Sequence, residues 1–89
     1  MMQRNSNFLL REVAGTMVIV PVGDAVEAFP GMMTVNATGA YIWELLEKEQ
    51  TVDSIVEAMV KEYEVSRETA RADVESFVAR LQPTGAVIL

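Results

Sequence analysis

Between Gly31 and Leu46 the chain changes its period. Met32 to Val35 is a short strand-like run. From Asn36 onward, Ala37, Tyr41, Ile42, Leu45 and Leu46 recur at the three- and four-residue spacing of a helix, with Glu44, Glu47 and Lys48 on the other side. Asn36 stands at the join, where its short side-chain oxygen can accept from the first free amides of that helix. Upstream of the join the chain reads as short strands, and downstream of it as helix. A chain with one such switch has few options: a small sheet from its N-terminal part, laid against a helical bundle. Gly39 weakens the first helical turn by about 1 kcal/mol relative to alanine, and is read as room for a close approach of helix to sheet.

In the N-terminal part, Phe8 to Val13 and Thr16 to Val22 flank Ala14-Gly15, the pattern of a tight β-hairpin. The second run is apolar in both phases, which predicts cover on both faces. Pro21 lacks a donor and is expected at a strand end or facing an unpaired side. Gly23 to Pro30 forms a longer connection with turn signals at Gly23-Asp24 and Pro30-Gly31, and Phe29 is expected to pack beneath it. Met32 to Val35 completes a three-stranded meander with two free edges.

In the C-terminal part, Thr51 caps a second helix whose stripe is Val52, Ile55, Val56, Met59, Val60 and Tyr63. Trp43 in the first helix lies off the main stripe and is read as a bridge to a neighbouring element. Ser66 caps a third helix with the stripe Ala70, Val74, Phe77, Val78 and Leu81. Pro83 and Gly85 end it, and Ala86 to Leu89 is expected to pack back as a short strand. The predicted fold class is α+β: a three-stranded antiparallel β-meander followed by a three-helix bundle, winged helix-turn-helix-like. Eighty-nine residues suffice for one domain. Residues 1–89 are therefore read as a single unit, with 1–7 as a flexible lead-in.

Catalysis finds little to work with. There is no cysteine and no histidine, so thiol nucleophiles, thiolate metal sites and the usual general base are absent together. The carboxylates are scattered over outer helical faces, and the five glycines are too dispersed for a phosphate loop. No catalytic residue, metal ligand or cofactor is assigned, and the chain is not expected to be an enzyme. The longest apolar run is far short of the roughly 20 residues of a membrane helix. Met1 to Asn7 is polar with no signal segment behind it, so a cytoplasmic protein with no membrane partner is expected.

Two binding functions remain. As a winged helix, the chain would read nucleic acid through its third helix. There Arg67, Arg71 and Arg80 are interrupted by Glu68, Asp73 and Glu75, and the net charge is −6. A nucleic-acid reader needs a basic footprint, so this stays the alternative, with no nucleic acid as the expected partner. The other is capture of a polypeptide: a strand edge accepts a further strand, and flexible methionines such as Met32 and Met33 suit an adaptable surface. Exposed edges also allow a homodimer.

The run Thr34-Val35-Asn36-Ala37-Thr38-Gly39-Ala40-Tyr41-Ile42-Trp43-Glu44-Leu45-Leu46 resembles the Asn-x-Thr-Gly-Ala-x-Ile-Trp signature of the PqqD family. Thr51 to Val56, Tyr63 to Val65, Asp73 to Leu81 and Gly85 resemble its later helices and ending. The likeness covers about Phe8 to Leu89. It implies a precursor-peptide recognition element that binds the leader of a ribosomally made peptide by strand addition and presents it to a maturation enzyme, often a radical-SAM protein. The founding product is pyrroloquinoline quinone. Carried onto this chain, the groove has Met32, Met33, Thr34 and Val35 on one side. Arg71, Val74, Phe77, Val78 and Leu81 are the candidates on the other.

Overall fold

The computed structural model describes residues 1–28 and 31–89. Phe29 and Pro30 fall outside that range, and with them the expected packing of Phe29. Strand β1 is Gln3–Arg4, β2 is Phe8–Val13 and β3 is Thr16–Pro21. Helix α1 is Ala25–Ala28, and β4 is Met33–Val35. Helices α2 (Ala37–Leu45), α3 (Val52–Glu62) and α4 (Arg67–Leu81) come next. A 3-10 turn, Gln82–Thr84, leads into β5, Val87–Ile88.

The main sheet is an antiparallel meander in the order β2-β3-β4. Its hairpin closes over Ala14 and Gly15, both at positive φ (52° and 81°), so the two-residue loop bends with the strands' own twist. Val13 pairs with Thr16 at the turn, and Phe8 pairs with Pro21 at the open end. Pro21 thus ends its strand, as a residue without a donor should. In β3 both Val18 and Ile19 are buried, so both faces of this central strand are covered. Met33 and Val35 pair with Ile19 and Met17, which turns both toward the helices.

Each long helix starts at a side-chain cap. Asn36 Oδ1 accepts from the Gly39 amide at 2.8 Å, Thr51 and Ser54 bond reciprocally, and Ser66 accepts from the Thr69 amide. The core gathers Ile42, Leu46, Ile55, Val56, Met59, Ala70, Val74 and Leu81 beneath Phe8, Ile19, Met33 and Val35. Trp43, off the expected stripe, is nonetheless buried. Arg4 lies over its ring at 5.7 Å and bonds to its carbonyl.

That contact is one of several that residues 1–7, expected as a flexible lead-in, make with the rest of the fold. Met2 is buried and exchanges two backbone bonds with Gln50, at 2.7 and 2.8 Å. Strand β1 pairs antiparallel with β5, and Asn5 bonds to Ala86 and Gly85. The N-terminal segment covers the side of α2 that a one-stripe helix would leave to solvent. The short helix α1 is a second addition, formed inside what reads from sequence as a plain connection.

Candidate functional site

Strand β4, the start of α2 and the later turns of α4 converge at one edge of the sheet. The Asn36 cap starts α2 directly after β4. Gly39, in its first turn, is the point where the three elements touch. A Cβ placed there would lie 3.2 Å from Phe77 Cε2 and 3.2 Å from Val35 Cβ. The close approach expected of this glycine is real, and it involves α4 as well as the sheet.

Beside this contact opens a cleft of about 140 Å³. Asn36, Thr38, Gly39 and Ile42 form one wall, and Asp73, Ser76, Phe77 and Arg80 the other. Those four α4 residues are spaced three, four and seven apart from Asp73, so they share one face. Phe77 is the apolar floor, and Asp73 and Arg80 are opposite charges two turns apart.

Arg80 extends from α4 to the sheet, where its guanidinium donates to the Thr34 carbonyl in the middle of β4. Within a strand the N–H and C=O of one residue point to the same side. A Thr34 carbonyl engaged from α4 therefore points away from β3, and its N–H does too. Among the described residues no strand pairs with this side of β4. The edge is open, with one arginine laid across it.

The anticipated groove residues separate into distinct places. Met32 is 58% exposed just ahead of the strand, and Thr34 is exposed within it. Met33 and Val35 are buried, their side chains in the core and their backbone groups turned toward β3 rather than the open edge. Phe77 reaches the cleft. Val74 and Leu81 do not: both are fully buried and present no surface to a guest. Val78 is half-buried against the core. Arg71 lies away from this cleft, where it pairs with Asp53 of α3. Arg71 and Arg80 are nine residues apart, about two and a half turns, which puts them on opposite faces of α4.

Sequence reasoning leaves Asp73, Ser76 and Arg80 out of the groove: it reads Asp73 and Arg80 as lying off the buried stripe and gives Ser76 no role. The signal available was their shared stripe with Phe77, opposite the one helical glycine that lets that face come close. Arg67, like Arg71, is committed elsewhere, in an ion pair with Glu57. The hydrogen bond from Arg67 holds the Glu57 carboxyl below its ordinary range, and the same bond raises Arg67.

A larger cleft, about 480 Å³, lies at the other edge beside β2, with Arg4, Phe8, Leu10, Arg11, Trp43, Glu44 and Glu47 among its walls. Its charges are of both signs, and Arg4 already lies across the Trp43 ring in its wall. Size does not decide between the two clefts. What distinguishes β4 is that a cation from a facing helix, Arg80, reaches the backbone of the edge strand itself beside the Phe77 floor. Among the described residues no group of three or more potential ligands is placed to hold a metal, and no helix is long and apolar enough to cross a membrane.

A family model described as Coenzyme PQQ synthesis protein D (PqqD) matches residues 16–87. Two solved structures share the fold. One, described as TbiB1 in complex with the TbiA(beta) leader peptide, has a TM-score of 0.73 and 22% identity, covering 96% of this chain and 93% of that one. The other, described as lasso peptide synthetase B1 complexed with the leader peptide, has a TM-score of 0.74 and 20% identity, covering 99% and 98%. No curated protein sequence matches.

Proposed function

This chain belongs to the PqqD family, and we propose accordingly that it is a non-catalytic recognition domain, residues 1–89, which captures the leader of a ribosomally made precursor peptide. The guest adds as a strand beside β4 and lays one side chain against Phe77 in the α4 cleft. The observation that carries this reading is Thr34, whose backbone faces an unpaired edge next to an apolar-floored cleft. The two similar structures are described as complexes with leader peptides, which supports the same mode here.

Magnitudes say what the guest must bring. Strand pairing contributes about 0.5–1.5 kcal/mol net per hydrogen bond, and β4 is three residues long. Association and ordering cost about 4–15 kcal/mol. Backbone pairing alone is too weak, so the guest needs apolar anchors, each contributing roughly 1.5–3 kcal/mol when fully buried. The captured leader is then presented in the cytoplasm to a maturation enzyme of the radical-SAM class. The product is pyrroloquinoline quinone or another modified peptide.

The nucleic-acid alternative loses its cations. Arg67 and Arg71 are paired with carboxylates, and Arg80 is turned onto Thr34. The test is calorimetric titration of leader peptides from short reading frames near this gene. Saturable binding is expected, and Thr34→Pro should abolish it. That change removes the one outward donor while leaving the β3 ladder intact. If no leader binds, or the proline variant binds equally well, strand addition at β4 is wrong. A stable dimer that leader cannot dissociate would instead assign the edge to a second copy.

A further inference from the structure

We propose that Arg80 is a latch on the β4 edge and the residue that selects an acidic guest. The inference rests on the peptide-capture reading above and adds to it the chemistry of one guest position. In the free protein the Arg80 guanidinium occupies the Thr34 carbonyl, the central outward acceptor of the edge strand. Unpaired edges invite pairing with other copies, and a charged side chain laid over one is a common protection. A strand adding to β4 needs that same carbonyl, so Arg80 must let go as the guest arrives.

The released guanidinium stays at the cleft, since Arg80 also lines its wall. It then has five N–H donors in a planar fork beside the guest. A carboxylate matches that fork with two parallel charge-assisted bonds, whereas a neutral side chain leaves most of it unpaired. Around α4 the alternatives are closed. Glu57 and Asp53 of the neighbouring α3 are held by Arg67 and Arg71 on the opposite side of α4, and Asp73 of α4 itself lies two turns away. The partner is therefore an extended segment carrying Asp or Glu where it passes Thr34. General electrostatics would give the reverse preference, because the chain carries a net charge of −6 and repels acidic peptides. An acidic preference at one position would have to come from a local cation.

The experiment is selection of a phage-displayed random-peptide library on the immobilised full chain, wild type and Arg80→Gln in parallel. Wild type should enrich apolar anchors plus an acidic residue at one fixed offset from them. Arg80→Gln should keep the anchors and lose the acidic position. In titrations with a selected synthetic peptide, Glu→Gln at that position should cost wild type about tenfold in affinity. It should cost Arg80→Gln nothing. The neutral peptide should bind Arg80→Gln at least as tightly as wild type, because no latch has to open. Anchors enriched on wild type without any acidic position overturn the Arg80 proposal and leave peptide capture standing. So does equal loss of acidic and neutral peptide on Arg80→Gln, provided its thermal melt matches wild type. No enrichment on wild type overturns both.

Discussion

Gly39 is the residue on which the cleft's geometry turns. Adding a methyl there brings a helix-propensity gain of up to about 1 kcal/mol. It also places a Cβ against Val35 Cβ, which the strand backbone holds, and against the Phe77 ring. Overpacking of this kind costs about 1–3 kcal/mol, so the clash wins. Gly39→Ala should lower stability by about 1 kcal/mol in urea titration and weaken peptide binding, since Phe77 must shift. An unchanged urea midpoint would mean that the contact is slack. Two arginines show what was and was not legible at this scale. The stripe of α4 marks its buried face, but which flank of that stripe meets the sheet depends on how α4 crosses α2. Nothing local encodes that crossing, so Arg71 and Arg80 look equivalent in sequence while half a turn separates them.

Among the elements, the hairpin and the α3–α4 pair carry separate tests. Ala14 holds a left-handed φ of 52° that asparagine tolerates better. Ala14→Asn should therefore stabilise the fold by about 1 kcal/mol, read as a higher urea midpoint. A lower midpoint would contradict the turn assignment. Between α3 and α4, Arg67 holds the Glu57 carboxyl below its ordinary value. A depressed carboxylate contributes stability above its unfolded pKa and loses it as pH falls through the folded value. Melting temperatures of wild type and Glu57→Gln should thus differ slightly at neutral pH and converge in acid. The pair is exposed, so added salt should shrink the gap. These elements were readable because their signals are local: Ala14-Gly15 for the hairpin, and Asn36, Thr51 and Ser66 for the caps. Helix α1 lay hidden because four residues carry too little period to be seen.

Over the whole molecule, what the sequence concealed is what joins distant segments. Met1 to Asn7 looks like a loose lead-in because it is polar and short. Yet Met2 pairs with Gln50, Gln3–Arg4 pair with Val87–Ile88, and Arg4 bonds to Trp43 of α2, so the N-terminal segment ties α2 to the C-terminal strand. Among the described residues, the β4 edge is where unpaired strand backbone, an aromatic floor and a helix-borne cation lie together. Peptide capture stands or falls on whether this edge accepts the guest's backbone. Residue-resolved amide hydrogen exchange, with and without a bound leader peptide, reads that backbone pairing itself. Thr34, whose N–H faces outward in the free protein, should exchange fast alone and become strongly protected in the complex. Protection that appears along Phe8–Val13 while Thr34 stays unchanged would rule out docking at β4 and move the site to the opposite edge.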